Sequence, residues 1–327
     1  MSAGPVSELL SKASSREVVN PGDGKSGSTF ERVVISGDRY FLKRLSPRVD
    51  WIMRITGDHI HRPYQVWKAG IMSRAPASID HTVVAMEITG TGDDAELATL
   101  MRDVGDALIP EGDSVVTMAQ HHGLLDALAD LSAEFWGWTD DIGGSTVESR
   151  LRFFAPDNIA PELEVDDVPG TLTVADRGWT ALKSRSPLLF RTAQAIHATP
   201  SIVAGPLART PVTFLHGDWK MGNLGMHPDG RVILVDWAYP GSGPVCWDLC
   251  WYIALNRARL PESKEATIAY FREALEARAI PTAGWWETQL GLCVVGMMAT
   301  FGWEKALGDD DELAWWEGRV AEVNVLA

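Results

Sequence analysis

A polar loop and a short apolar run in the C-terminal half carry the residue types that phosphoryl transfer requires. His216, Asp218 and Asn223 lie in the loop 216–223, and Asp236 directly follows the apolar run 232–235. Phosphoryl transfer needs a carboxylate that orients and deprotonates the attacking hydroxyl, and a divalent metal on the nucleotide phosphates. Magnesium prefers hard oxygen ligands such as carboxylates and amide oxygens. The spacing therefore predicts a general base and two metal ligands in this part of the chain.

The pattern resembles the aminoglycoside phosphotransferase and choline kinase group, small-molecule kinases with a protein-kinase-like fold. Their hallmark is a His-Gly-Asp loop with a downstream Asn and then a strand ending in Asp, matched here by His216, Gly217, Asp218, Asn223 and Asp236. The resemblance implies that Asp218 is the catalytic base, that Asn223 and Asp236 bind magnesium, and that His216 supports the loop. The competing interpretation is a chance polar loop, which three correctly spaced positions disfavour.

Two further residues lie close to this motif in sequence. Asp248 stands in the triplet Trp-Asp-Leu at 247–249, and the resemblance implies that it anchors the catalytic loop from the start of the next helix. A carboxylate that complements the helix dipole is a compatible alternative. Lys220 is a candidate for contact with the transferred phosphate, although many small-molecule kinases lack a lysine there.

The N-terminal part of the chain contains candidate nucleotide-binding residues. Lys43 lies in the strand-like run 40–44, and the resemblance implies that it binds the α- and β-phosphates of ATP; a solvated strand lysine is the alternative. The glycine- and serine-rich loop 22–28 precedes it, and its backbone amides with the Ser26 and Ser28 hydroxyls are candidate phosphate donors. A plain flexible loop would have the same composition.

The segment 100–105 resembles the hinge that joins the two lobes in this family. By that resemblance, the carbonyl of Arg102 and the amide of Val104 bind the adenine ring, while GTP in place of ATP stays open. The sequence departs from the kinase pattern at one point, because the predicted helix 50–73, interrupted by Pro63, contains no glutamate to pair with Lys43. Either Asp50, Asp58 or Gln65 substitutes for it, or the pairing residue comes from elsewhere in the chain.

The elements that position these residues change in type along the chain. Two β-prone runs, 29–36 and 39–45, flank Gly37-Asp38 and predict a hairpin, and further strands are expected near 82–88 and 97–102. Apolar residues recur at helical spacing over 114–138, strands are expected at 213–215 and 231–235, and the chain from 247 onward reads as helical. We therefore expect an α+β, two-lobed protein-kinase-like fold, with a β-rich nucleotide-binding lobe at 1–103 and a mostly helical catalytic and substrate-binding lobe at 104–327.

Composition narrows the classes of partner. The chain has 327 residues, with 29 Lys and Arg against 44 Asp and Glu, which gives a net charge of −15. A surface with this net negative charge disfavours binding to nucleic acids and to anionic membranes. No apolar run is long enough to span a bilayer. The three cysteines form neither a disulfide framework nor a zinc motif. We expect a cytoplasmic protein without a signal peptide, acting as a monomer or a homodimer.

These observations predict an ATP- and magnesium-dependent kinase that phosphorylates a hydroxyl of a small molecule. The acceptor stays open among aminoglycosides, other antibiotics, amino sugars, choline-like amines and sugars, and the acidic charge favours one that carries an amine. Tryptophans of the C-terminal helices could wall the acceptor site or simply fill the core. The first alternative function is a catalytically weak, nucleotide-binding pseudokinase. A protein kinase ranks last, because no Ala-Pro-Glu segment follows Asp236.

Overall fold

A computed structural model of the chain describes residues 4–19, 26–323 and 325. The helices and strands among them follow in the order α1 (Val6–Leu10), β1 (Ala13–Val19), β2 (Thr29–Ile35), β3 (Asp38–Leu45), α2 (Trp51–Thr56), α3 (Arg62–Lys68), β4 (Ile79–Asp80), β5 (Val83–Thr89), β6 (Glu96–Arg102), α4 (Met118–Glu134), α5 (Val147–Leu151), α6 (Pro156–Ile159), α7 (Gly170–Arg185), α8 (Pro187–Ala198), α9 (Ser201–Leu207), β7 (Val212–Leu215), β8 (Leu224–Met226), β9 (Val232–Leu234), β10 (Gly241–Pro244), α10 (Cys246–Leu255), α11 (Lys264–Ala277), α12 (Trp286–Lys305) and α13 (Asp310–Val323).

The chain divides into two compact units that each contain two segments. One, here called the strand-rich unit, comprises Met1–Gly112 and Met221–Tyr239. The other, the helical unit, comprises Asp113–Lys220 and Pro240–Ala327. The strand-rich unit thus includes the hairpin that carries Asn223 and Asp236, in addition to the N-terminal residues. The expected boundary between residues 103 and 104 stays a prediction.

The main sheet of the strand-rich unit has five antiparallel strands in the order β1-β2-β3-β6-β5. The predicted hairpin is present as β2 and β3, but its turn is formed by Ser36 and Gly37, one residue earlier than expected. Both turn residues have positive φ values, 55° and 91°, as a tight turn that matches the strand twist requires. Leu42 is buried in the core on one face of the sheet with α1, so Lys43 points from the opposite face because side chains alternate along a strand.

The expected helix 50–73 consists of two short helices, α2 and α3. Gly57 ends α2 in the left-handed conformation with φ 62°, which costs a glycine no steric energy. Pro63 occupies the first turn of α3, where its missing N–H leaves no hydrogen bond unmade. The proline therefore helps to begin a helix here and does not interrupt one.

A second sheet of the strand-rich unit, in the order β4-β9-β8, supports the two candidate metal ligands. Strands β8 and β9 are antiparallel, with Leu224 opposite Leu234. The amide of Val235 then donates to the carbonyl of Asn223 at 3.0 Å, which extends the ladder by one step. This register places Asn223 next to the residue pair Val235-Asp236.

The helical unit packs around α12, whose residues are buried along most of its length. The predicted helix over 114–138 is α4, which begins after Thr117 with a reciprocal capping box to Gln120. In the segment 140–176 the structure has the short helices α5 and α6 and the start of α7. In the two-stranded sheet of this unit, β7 pairs with β10, so that Leu215 faces Gly241. The residue after β7, His216, is joined to the first turn of α10 by a hydrogen bond from its amide to Asp248. No helix among the described residues is long and apolar enough to cross a membrane.

Candidate active site

The catalytic loop begins at the end of β7 and is fixed by a buried carboxylate on α10. Asp248 accepts hydrogen bonds from the amide of His216 at 2.9 Å and from the amide of Gly217 at 3.1 Å. Gly217 has φ 83°, a conformation that a residue without Cβ adopts readily. The anchoring role implied by the resemblance therefore has a clear geometric basis in the hydrogen bonds to two consecutive loop amides.

Asp248 is only 1% exposed, and burial raises its pKa to about 6, while Arg150 and the two loop amides oppose that shift. Desolvation penalises the charged form, and a nearby cation or N–H donor stabilises it. Arg150 is itself fully buried in the same unit. The sequence analysis did not identify Arg150, because an arginine within a short helix gives no sequence signal of burial.

Asp218 is held on both of its carboxylate oxygens. Lys220 Nζ lies 2.9 Å from Oδ2, and the indole Nε1–H of Trp251 donates to Oδ1 at 2.9 Å. The Asp218 side chain is 19% exposed. The backbone amide of Asp218 donates to the ring of His216 at 3.4 Å. Lys220, the candidate for contact with the transferred phosphate, is paired with the candidate base, and its contact with phosphate stays a prediction.

Lys43 and Asp236 form an ion pair within the strand-rich unit. Lys43 Nζ donates to Asp236 Oδ1 at 2.7 Å, and the two side chains are 13% and 35% exposed. Asp236 lies two residues beyond the end of β9, with φ 60°, a left-handed conformation that Asp tolerates better than most residues. Asn223, 6% exposed, is brought next to it by the β8–β9 register. The predicted phosphate-binding lysine and both predicted metal ligands thus lie in one unit.

These oxygens suit magnesium by their chemistry. A carboxylate and an amide oxygen are hard donors, and Mg²⁺ is usually held by one or two carboxylates together with substrate phosphates and water. Among the residues that the structure describes, no group of three or more His, Cys, Asp or Glu side chains could hold a metal ion. A site with few protein ligands matches what a nucleotide-bound magnesium requires.

Asp50 connects the candidate phosphate loop to α2. Its carboxylate caps α2 through the amide of Met53 and accepts from the Ser28 hydroxyl at 3.2 Å, while Ser26 and Ser28 lie 2.9 Å apart. Burial raises the pKa of Asp50, and hydrogen bonds from Ser26 and Met53, with the charge of Lys43, act against it. Among the candidate substitutes for the missing glutamate, Asp50 has a carboxylate whose pKa the charge of Lys43 lowers.

The backbone of the segment 26–28 lies close to the backbone of residues 49–51. Gly27 has φ 96°, and a Cβ placed on it would lie 2.2 Å from the carbonyl oxygen of Val49. The amide of Trp51 donates to the carbonyl of Ser26 at 3.1 Å. Residues 22–25 of the predicted loop lie outside the described residues.

The predicted hinge lies at the end of β6. The amide of Arg102 donates to the carbonyl of Thr82, and that of Asp103 donates to the carbonyl of Arg39. Val104 then precedes a single 3₁₀ turn. The Arg102 side chain donates to the buried carboxylate of Asp80. Only main-chain groups of Arg102 and Val104 were assigned to adenine, and that assignment stays a prediction.

Comparison with known proteins agrees with this geometry. The sequence model of the phosphotransferase enzyme family matches residues 22–285. No curated protein sequence matches the chain significantly. Similar solved structures include a microcompartment-associated aminopropanol kinase, with a TM-score of 0.53 and 13% identity over 97% of this chain and 93% of that one. A spectinomycin phosphotransferase in complex with ADP and spectinomycin has a TM-score of 0.53 and 14% identity, over 98% and 94%.

A third structure of similar fold is LicA, the choline kinase of Streptococcus pneumoniae, in complex with AMP. It has a TM-score of 0.51 and 12% identity, over 98% of this chain and 96% of that one. Because these identities are low, the likeness shows the fold, and it confirms the expected α+β, protein-kinase-like class.

Proposed function

Because the chain belongs to the phosphotransferase enzyme family, we propose that it transfers the γ-phosphate of ATP to a hydroxyl of a small molecule, with Asp218 as the general base. The family match confirms the enzyme class expected from the sequence, a small-molecule phosphotransferase. The observation that carries the finer proposal is the position of Asp218, whose two oxygens are fixed by Trp251 and Lys220. A carboxylate in a single orientation can align a hydroxyl and accept its proton.

On the nucleotide side, Lys43 is proposed to bind the α- and β-phosphates, and Asn223 and Asp236 to hold magnesium. Their support is the 2.7 Å ion pair of Lys43 with Asp236 and the hairpin register that places Asn223 beside it. Bound magnesium would neutralise negative charge on the phosphates as the transfer proceeds. The ion pair orients the lysine ammonium before the nucleotide binds, and a phosphate would replace Asp236 as its partner when that carboxylate binds magnesium.

The remaining cofactor contacts follow from the family pattern. The carbonyl of Arg102 and the amide of Val104 are proposed to bind adenine. Ser26 and Ser28 are proposed to line the phosphate loop, with the hydroxyls bonded to each other and to Asp50. A hydroxyl proton that is already given to a carboxylate is not available to phosphate, so the backbone amides are the more suitable donors in this segment.

The acceptor class is an alcohol that carries an amine. The net charge of −15 favours a cationic acceptor, and aminopropanol and spectinomycin are the acceptors named for two proteins of the same fold. Aminoglycosides, other antibiotics and amino sugars fit this description. The reaction is proposed to occur in the cytoplasm, where ATP is available.

The test is ADP release by the purified protein with ATP and magnesium, across aminoglycosides, spectinomycin, amino sugars, short amino alcohols, choline and neutral sugars. The Asp218→Asn variant is measured in parallel, and Asp141→Asn, an exposed carboxylate of the same unit, is the matched control. Stimulation by one chemical class that disappears only in Asp218→Asn is the expected result. Equal turnover by Asp218→Asn and wild type would overturn the base assignment.

A non-catalytic nucleotide-binding protein is the second candidate, favoured by the absence of a glutamate from residues 50–73. Asp50 argues against this candidate. Its carboxylate accepts from the Ser28 hydroxyl and interacts electrostatically with Lys43, so it can take the place of the missing glutamate. Magnesium-dependent ATP binding without ADP release for any acceptor would favour it.

A further inference from the structure

Helix α10 contacts the catalytic loop at two positions, three residues apart. Asp248 accepts the amides of His216 and Gly217, and Trp251 donates to the side chain of Asp218. Residues three apart on a helix lie on the same face, so one face of α10 presents an acceptor to the loop backbone and a donor to the loop carboxylate. The Asp248 carboxylate therefore holds the amides of His216 and Gly217, and the Trp251 indole holds the side chain of the next residue, Asp218.

The ring of Trp251 cannot turn away easily. It is 3% exposed, and it packs edge-on against Phe301 with centroids 4.7 Å apart and an interplanar angle of 77°. Phe153 lies on another side, with centroids 6.3 Å apart. Aromatic packing of this kind fixes the ring plane, and with it the direction of the N–H bond.

We propose that Trp251 is a positioning residue for phosphoryl transfer: its indole N–H holds Oδ1 of Asp218 and so orients the carboxylate that receives the proton of the acceptor hydroxyl. An indole nitrogen is a donor only, so it cannot itself accept that proton. Lys220 Nζ lies 2.9 Å from Oδ2, so each oxygen of the carboxylate is held by a different side chain. In the proton transfer the O–H bond of the acceptor breaks and an O–H bond forms at the Asp218 carboxylate, while the acceptor oxygen bonds to phosphorus and the bond from phosphorus to the ADP oxygen breaks.

The inference rests on the proposed role of Asp218 and adds the means by which its carboxylate is oriented. The same helix supplies a matched control. Trp247 is also on α10 and fully buried, yet its indole Nε1 has no hydrogen-bond partner among the described residues. Replacing Trp247 with Phe therefore removes an equally buried indole without removing a bond to the base.

The first measurement is kinetic and compares Trp251→Phe with Trp247→Phe, using ADP release from ATP and magnesium with water as the acceptor. Trp251→Phe is expected to lower kcat by about 10- to 100-fold with an unchanged KM for ATP, because a misdirected base affects the transition state and not nucleotide binding. A second variant carries at position 251 the benzothiophene analogue of tryptophan, which keeps the bicyclic shape and lacks the donor. Its kcat is expected to fall by the same factor, so the comparison can still be made if Trp251→Phe proves unstable.

The second measurement does not depend on activity. The chain has 14 tryptophans, and their indole ¹H–¹⁵N resonances can be assigned at positions 251 and 247 by loss of a peak in each Phe variant. Asp218→Ala removes the acceptor, so the Trp251 indole proton is expected to shift upfield as its hydrogen bond is lost, while the Trp247 resonance stays in place.

Three results separate the inference from the proposed function. If the benzothiophene variant keeps the kcat of Trp247→Phe, or if the Trp251 resonance ignores Asp218→Ala, the positioning role is wrong, whatever Asp218 does. If Asp218→Asn turns over normally, the base assignment is wrong and the positioning role is refuted with it. Loss of turnover in Asp218→Asn together with the expected kcat loss and resonance shift supports both.

Discussion

Lys43 Nζ lies 2.7 Å from Asp236 Oδ1, although 193 positions separate the two residues in the chain. The five-stranded sheet supplies the lysine from β3, and the β8–β9 hairpin supplies the carboxylate. The side chains of this ion pair are 13% and 35% exposed, so the pair is partly open to solvent. We expect the two side chains to exchange each other for new partners when a nucleotide binds, Lys43 for phosphate and Asp236 for magnesium.

Asp236→Ala is expected to abolish the magnesium dependence of nucleotide binding, because it removes the carboxylate from a site with few protein ligands. Isothermal titration with ATP in the presence of magnesium or of EDTA measures this. Asp229→Asn is the matched control, since Asp229 lies in the turn between β8 and β9 and is 47% exposed. Unchanged, magnesium-dependent affinity in Asp236→Ala would refute the metal role.

Asp218→Asn is expected to lower turnover by at least about 100-fold, the lower range of what a general base contributes, while ATP binding persists. The amide keeps the size of the side chain and cannot accept the hydroxyl proton. Turnover is followed by ADP release, and binding by titration on the same preparation. Loss of ATP affinity in parallel with turnover would mean that the substitution disturbed the nucleotide site instead.

Asp50→Ser is expected to raise the KM for ATP several-fold without a change in melting temperature. Serine caps a helix about as well as aspartate, but it removes the negative charge near Lys43 and the acceptor of the Ser28 hydroxyl. Asp50→Ala, which also removes the cap, should in addition lose about 1 kcal/mol of unfolding free energy. An unaltered KM in Asp50→Ser would show that this carboxylate only caps α2.

Asp248 predicts a dependence of stability on pH. Burial raises its pKa from 3.8 to about 6 in the folded protein, so the folded state binds this proton more tightly than the unfolded chain does. The stabilisation from the protonated group is complete below about pH 4 and is lost as the pH rises through about 6. A shift of roughly two units corresponds to about 3 kcal/mol.

The variant Asp248→Asn has no such titration, so it should gain up to about this amount relative to wild type between pH 4 and pH 7. Its amide nitrogen would face the Gly217 N–H, so kcat should fall because the catalytic loop loses an acceptor. Urea unfolding at several pH values measures the first effect, with Asp141→Asn as control. A constant stability difference across this pH range would contradict the raised pKa.

Local signals in the sequence predicted the elements that depend on local interactions. The β2–β3 hairpin and α4 were confirmed because a tight turn and a capped apolar stripe are encoded within a few residues. Strand β10 was missed because its sequence, Gly-Ser-Gly-Pro, has no β-forming residue. It is a strand because the backbone of β7 is available to pair with it. The helix 50–73 was expected to be interrupted at Pro63, but the break begins at Gly57, which acts as a left-handed cap within an otherwise helical pattern.

The sequence by itself indicated which residues form the candidate catalytic motif, because His216, Asp218 and Asn223 are held at a fixed spacing by the covalent chain. It also determined the family, through that motif and Asp236. The tertiary structure alone decided that Lys43 pairs with Asp236, and that Trp251 and Lys220 hold opposite oxygens of Asp218. Long-range contacts of this kind follow from the packing of helices and strands, and a tryptophan that fills a core has the same sequence pattern as one that orients a base.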